Sequence, residues 1–166
     1  MIFRPSTGGQ IVLLTMLASG ILLAISALFL TLGYQFRDRG SVHYIFLGSG
    51  AFLLLLLVGS LNFRIRSYEI DSDNLVIKIG LTRKVQSLQG LVAARLEQQP
   101  FAGCRRIVGV GGLWSNCGHF VSPRWGDFYA YASSTDQGVL LTWPDVKVLV
   151  TPADYASFIQ AVKSKR

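Results

Sequence analysis

The amino-acid sequence predicts a two-helix transmembrane hairpin followed by an α+β domain, a bent antiparallel barrel or sandwich of short strands closed by a C-terminal capping helix. Three observations carry that expectation. Two uncharged apolar runs lie within the first 66 residues, separated by one short charged loop. The hydrophobic period falls to two after Arg66, and the chain ends in an amphipathic stretch with a helix-start signature.

The first span is expected over about residues 11–33 and the second over about 44–63, each close to 30 Å long at about 1.5 Å per residue, the thickness of a hydrocarbon core. Between them, Gln35-Phe36-Arg37-Asp38-Arg39-Gly40 gathers three charges and a glycine. Such a segment is too costly to desolvate and forms the turn. A cleaved signal peptide has an apolar core of about 7–15 residues, whereas this run continues past Ala24-Ile25-Ser26-Ala27. Gly20 and Ala24 in the first run, with Gly48, Ser49, Gly50 and Ala51 in the second, predict a close helix–helix approach. His43 and Tyr44 beside the loop suit the membrane interface.

Residues 1–66 are thus taken as the hairpin and 67–166 as one water-facing domain. In the domain, Tyr68 and Ile70 alternate with Glu69 and Asp71, Asp71-Ser72-Asp73-Asn74 is turn chemistry, and Leu75, Ile77 and Ile79 resume the alternation. Further strand-like pieces are Val92, Ala94 and Leu96, then Phe128 to Ala132, Gly138 to Trp143, and Val146, Val148 and Val150. Short strands punctuated by Gly and Pro argue for a small sandwich or barrel. For the last helix, Thr151 is the expected N-cap, Pro152 the first helical residue and Asp154 the capping-box acid. Tyr155, Phe158, Ile159 and Val162 form its apolar stripe.

The net charge of +7 divides unevenly. Through Arg66 there are five arginines against Asp38; beyond it, eleven basic residues face eight acidic ones. A domain this mildly basic argues against a nucleic-acid partner, and the excess near the spans suits anionic head groups. Arg4, Arg64 and Arg66 outnumber Arg37 and Arg39, so the N-terminus and the domain are expected on the cytoplasmic side of the inner membrane, with two passes. Cys104 and Cys117 have no CxxC partner and no four-ligand set, so they are expected to be ordinary thiols, with no metal and no cofactor.

The segment Arg106 to Gly109, Gly118-His119-Phe120, Phe128-Tyr129-Ala130-Tyr131-Ala132 and Val150-Thr151-Pro152-Ala153-Asp154-Tyr155-Ala156-Ser157-Phe158-Ile159 resembles the C-terminal part of bacterial pleckstrin-homology-like (bacterial PH) domains, including membrane-anchored members. The resemblance covers roughly Tyr68 to Val162 and implies a seven-stranded bent barrel capped by a C-terminal helix. It brings little chemistry. The basic residues around the first hairpin, Lys78 to Lys84, depart from the spacing of phosphoinositide-binding relatives, which leaves a solvated loop as the leading reading and nonspecific contact of Arg83 and Lys84 with lipid head groups as the second.

Among candidate sites, Gly109-Val110-Gly111-Gly112 lacks the Lys-Ser/Thr of a phosphate loop and reads as a turn or bulge. His119, with Ser115, Ser122, Asp127 and Cys117 nearby in sequence, does not make a catalytic set. Trp114, Arg124 and Trp125 are the candidate interaction surface, since exposed Trp and Arg are favoured at binding hot spots, with packing within the domain the leading reading of the segment. Arg64, Arg66, Arg83 and Lys84 are the candidate lipid head-group contacts. The expected function is a non-enzymatic membrane protein that presents its module to membrane lipids and a membrane-proximal protein partner, as scaffold or envelope sensor. The alternative is an assembly factor or accessory subunit of a larger membrane complex.

Overall fold

The computed structural model describes residues 1–111 and 113–165. Two long helices, α1 (Gly9–Gln35) and α2 (Ser41–Ser60), form the hairpin, and a 3-10 turn over Leu61–Phe63 leads into the domain. Both helices are long and apolar enough to cross a membrane, and most of their side chains are uncovered by protein. They extend beyond the expected spans at three of their four ends, because polar residues such as Gly9, Gln10 and Gln35 continue the backbone hydrogen bonding.

The helices meet through Ser26, Gly33 and Gly50. Ser26 Oγ donates to the Gly50 carbonyl at 2.8 Å. A Cβ on Gly33 would lie 2.8 Å from Leu47, and one on Gly50 2.9 Å from Leu30. Gly50 is one of the expected small residues, but Gly20 and Gly48 have open space around them and Ala24 is exposed, so on α1 the seam uses Ser26 and Gly33 instead. Helical periodicity turns Gly20, Ala24 and Gly48 away from the seam. Near the loop, His43 Nδ1 lies 2.6 Å from the Gly33 carbonyl, and since a carbonyl only accepts, this nitrogen carries the proton.

The domain is built from two open sheets. Strands β1 (Ile2–Phe3), β2 (Ile65–Asp71), β3 (Asn74–Ile79) and β4 (Thr82–Ser87) make one, in that order. The other, in the order β5-β9-β10-β8-β7-β6, contains β5 (Ala93–Gln98), β6 (Arg105–Gly111), β7 (Asn116–Ser122), β8 (Gly126–Ala132), β9 (Gln137–Thr142) and β10 (Lys147–Val150). The sandwich form of the expectation is therefore realised, with more strands than seven and with β10 running parallel to β8. Ser72-Asp73 forms the two-residue turn of the β2–β3 hairpin, with Ser72 at φ +49°.

Tyr68, Ile70, Leu75, Ile77, Val139, Leu141, Val148 and Val150 fill the space between the sheets, and α3 (Tyr155–Lys163) covers it with Phe158 and Val162. The amphipathic stripe thus falls where expected, but the helix begins one turn late. Asp154 is the N-cap, its carboxylate accepting from Ser157 N–H, which holds its pKa below the ordinary carboxylate value. Thr151 instead lies buried in a polar knot: the Tyr68 hydroxyl donates to the Tyr131 carbonyl at 2.7 Å and accepts from Thr151 N–H, while Thr151 Oγ1 accepts from Ser133 N–H. Burial pushes the Tyr68 hydroxyl pKa well up, so the group stays a neutral donor.

A second cluster, Phe120, Phe128, Ala130, Leu140 and Leu149, packs on the other face of the larger sheet under Phe101, Cys104 and Trp125. Cys117 packs on the inner cluster and Cys104 on this outer one, and both thiols are free. Of the expected apolar trio only Ala94 is buried; Val92 lies before the start of β5, and Leu96 is exposed.

The segment Gly109 to Gly111 belongs to β6 rather than to a loop; Gly112 lies outside the described residues. Gly109 and Gly118 face one another across β6 and β7 at φ +140° and +145°. A Cβ on Gly109 would come within 2.2 Å of the Cys117 carbonyl oxygen, so glycine at this crossing is a backbone requirement.

Candidate functional site: the junction of helices and sandwich

The polar leader becomes an arm that ties the start of α1 to the domain. Met1 and Ile70 exchange hydrogen bonds. Ser6 N–H donates to the Thr151 carbonyl, Ala153 N–H to the Arg4 carbonyl and Gly8 N–H to the Ser133 carbonyl. The N-terminus and the sandwich therefore occupy the same end of the hairpin.

Trp114 joins both helices to the sandwich. Its backbone N–H donates to Thr15 Oγ1 and its indole N–H to Ser60 Oγ, each at 3.0 Å. Ser115 Oγ donates to the Phe63 carbonyl. Trp114 adopts φ +67°, an uncommon conformation for a bulky residue, held here by those partners. Because one residue bonds to both Thr15 and Ser60, through its backbone and its indole, these residues mark a common level. From Thr15 to Gln35, and from Ser41 to Ser60, each helix is then about 30 Å long. The turns of α1 before Thr15 rise alongside the domain, with Ile11 and Thr15 buried.

The tip of the β3–β4 hairpin seats on the 3-10 turn and linker that follow α2. Gly80 N–H donates to the Arg64 carbonyl at 2.8 Å, and a Cβ on Gly80 would collide with the Asn62 backbone at 2.1 Å. Leu81, at the tip, is 83% exposed. Arg83 and Lys84 follow it on β4, paired in register with Lys78 and Ile77, while Arg64 and Arg66 flank the start of β2. All four are exposed. Asp71 and Asp73 sit at the opposite end of the same strands, so this sheet is basic toward α2 and acidic away from it. Lys78 is neutralised within the sheet by Glu69 at 2.7 Å, a bond that lowers the Glu69 pKa.

Trp114, Arg124 and Trp125 do not form one surface. A seven-residue strand, β7, separates Trp114 from the other two, and Trp114 is spent on the helices. Trp125 packs edge-on against Phe128, with exposed Arg124 over its ring at 5.9 Å. The residues around His119 are likewise dispersed. His119 Nε2 lies 3.1 Å from Asp127 and its ring stacks on Tyr129. Ser115 is bonded to Phe63 and Cys117, and Ser122 Oγ accepts from Arg124 N–H, so no hydroxyl faces the imidazole as a nucleophile among these bonds. Burial raises the Cys117 pKa.

Thr15, Ser60, Ser133 and the Tyr68–Thr151 knot were not singled out from the sequence. Thr15 and Ser60 carried a signal, since hydroxyls in apolar spans commonly bond to other elements. For the Tyr68–Thr151 contact, 83 residues apart, no local signal exists.

A two-sheet sandwich capped by a helix and carried on two long apolar helices defines a PH-like module with membrane-crossing potential. Residues 66–166 match the family described as the bacterial PH domain, and the chain belongs to that family. No match was found among curated proteins or among solved structures.

Proposed function

We propose that this chain is a non-enzymatic inner-membrane protein whose two passes hold a PH module at the cytoplasmic surface, where its basic end contacts anionic head groups and the remaining surface meets a protein partner. One observation carries the reading: the β3–β4 tip seats on the 3-10 turn and linker that follow α2, which sets Leu81, Arg83 and Lys84 beside Arg64 and Arg66 where a span leaves the bilayer. Basic residues at such a surface contribute about 1 kcal/mol each toward anionic lipid. Tethering raises the effective concentration for membrane-borne partners, so weak contacts suffice.

The test uses the full chain with Cys104 and Cys117 replaced by Ala and an environment-sensitive dye at Leu81→Cys. In nanodiscs of anionic lipid the dye emission shifts to the blue, and adding Arg83→Glu and Lys84→Glu abolishes the shift. Emission matching that of a dye at Ser72→Cys, the far end of the same sheet, refutes the lipid contact.

The accessory-subunit reading rests on a different feature. β6 is an edge strand with Ile107 46% and Val108 69% exposed, a form open to strand addition by a partner. Purification from native membranes separates the two: a stoichiometric large complex favours the subunit, a small monodisperse particle the scaffold.

A further inference from the structure

A cavity of about 350 Å³ lies between the first turns of α1 and the sandwich, within the size range of small-molecule sites. Its walls are apolar, from Ile11, Val12, Met16, Ile65 and the Trp114 indole, and Arg64 lies on its lining. We propose that this cavity takes one acyl chain of an anionic phospholipid, with the lipid phosphate on the Arg64 guanidinium.

Three observations support that occupant. The first is position: the cavity straddles Thr15, the level at which Trp114 ties α1 to the end of α2, so it opens where hydrocarbon meets head groups. The same face of α1 continues past Met16 and Ser19 to Leu23, which is exposed and gives a chain an apolar route from the bilayer. The second is charge. Arg64 makes no ion pair among the described residues, although it sits beside an apolar cavity. An isolated guanidinium there attracts a phosphate, with which it makes paired, charge-assisted hydrogen bonds. The third is an unmet donor. Ser19 Oγ is buried in the cavity lining without a hydrogen-bond partner. Ser19 stands four residues below Thr15, about 6 Å along the helix, the depth at which a lipid ester carbonyl would reach it from an interfacial head group. A water-soluble anion would leave the apolar walls unoccupied, and a neutral lipid would leave Arg64 unpaired.

The inference rests on the reading that α1 and α2 span a membrane, so the experiment separates the two. The full chain carrying Trp125→Phe and Trp143→Phe retains Trp114 as its one tryptophan, and is titrated in detergent micelles with phosphatidylglycerol or phosphatidylcholine brominated on the acyl chain. Saturable quenching of Trp114, about fivefold tighter for phosphatidylglycerol, is expected, that being the worth of one basic residue at an anionic surface. Arg64→Gln should remove the preference and keep the quenching, and Val12→Phe, which fills the cavity, should remove saturation. Quenching that is linear in lipid, or saturable and equal for both head groups, overturns the proposal. Native mass spectrometry of the unsubstituted chain gives an independent reading: retained phosphatidylglycerol in preference to phosphatidylcholine supports the site, and equal retention opposes it. A chain that stays with carbonate-washed membranes yet shows no saturable quenching loses the lipid site alone; a chain released by carbonate loses the anchor as well.

Discussion

Replacing Trp114 by Ala should loosen the sandwich from the helices without unfolding it. An indole contributes about 200 Å² of surface, and Trp114 is largely buried. Covering about two-thirds of that area at about 25 cal/mol per Å² gives roughly 3 kcal/mol. The lost indole N–H bond adds little, because Ser60 Oγ still donates to the Leu57 carbonyl at 2.6 Å. The φ of +67° is no easier for Ala, so no strain is released to offset the loss. A change of about 3 kcal/mol is a factor of about 100 in the ratio of docked to undocked domain, at 1.4 kcal/mol per decade. Hydrogen–deuterium exchange of the full chain in nanodiscs reads this ratio locally. Peptides covering Asn62–Ile65 and Leu113–Cys117 should exchange up to about 100-fold faster, while the β8 and β10 peptides stay protected. Unchanged exchange in the first two segments would refute the docking role of Trp114, and equal acceleration everywhere would show that the residue supports the sandwich itself.

Tyr68→Phe deletes the hydroxyl that serves both Tyr131 and Thr151, leaving buried backbone groups unmet at a cost of about 1–3 kcal/mol; a domain of this size should melt about 5–15 °C lower, read by tryptophan fluorescence of the full chain in detergent. Because Glu69 has its folded pKa lowered by Lys78, its contribution is present above the ordinary value near 4.5 and is lost as pH falls through the folded value. The advantage of the wild-type chain over Glu69→Gln in thermal melts should accordingly disappear on acidification below that range. Maleimide at neutral pH should modify Cys104 before Cys117, whose thiol is pushed up in pKa by burial and bonded to Ser115, as mass spectrometry of tryptic peptides would report.

Much of this protein was determined locally. The two long apolar helices follow from uninterrupted apolar runs, the β2–β3 hairpin from strict alternation around Ser72-Asp73, and the stripe of α3 from Tyr155, Phe158, Ile159 and Val162. In each, the physical cause is a side-chain period that repeats within one element and needs no distant partner. The family resemblance had the same basis, in contiguous residues that residues 66–166 bear out.

What the tertiary structure alone decided is where those elements meet. Thr151, an expected cap, became a buried partner of Tyr68, and the cap moved to Asp154, because the arm and β10 draw the preceding residues into backbone pairing. Trp114 turned inward to Thr15 and Ser60 while Trp125 packed on Phe128, so two tryptophans eleven residues apart came to do unrelated things. The helix seam kept Gly50 of the expected small residues but took Ser26 and Gly33 rather than Gly20 and Ala24 on α1, a choice made by the rotation of one helix against the other. Contacts between residues tens of positions apart depend on how whole faces dock, and that free energy is summed over the assembled surfaces rather than written in any one stretch of chain.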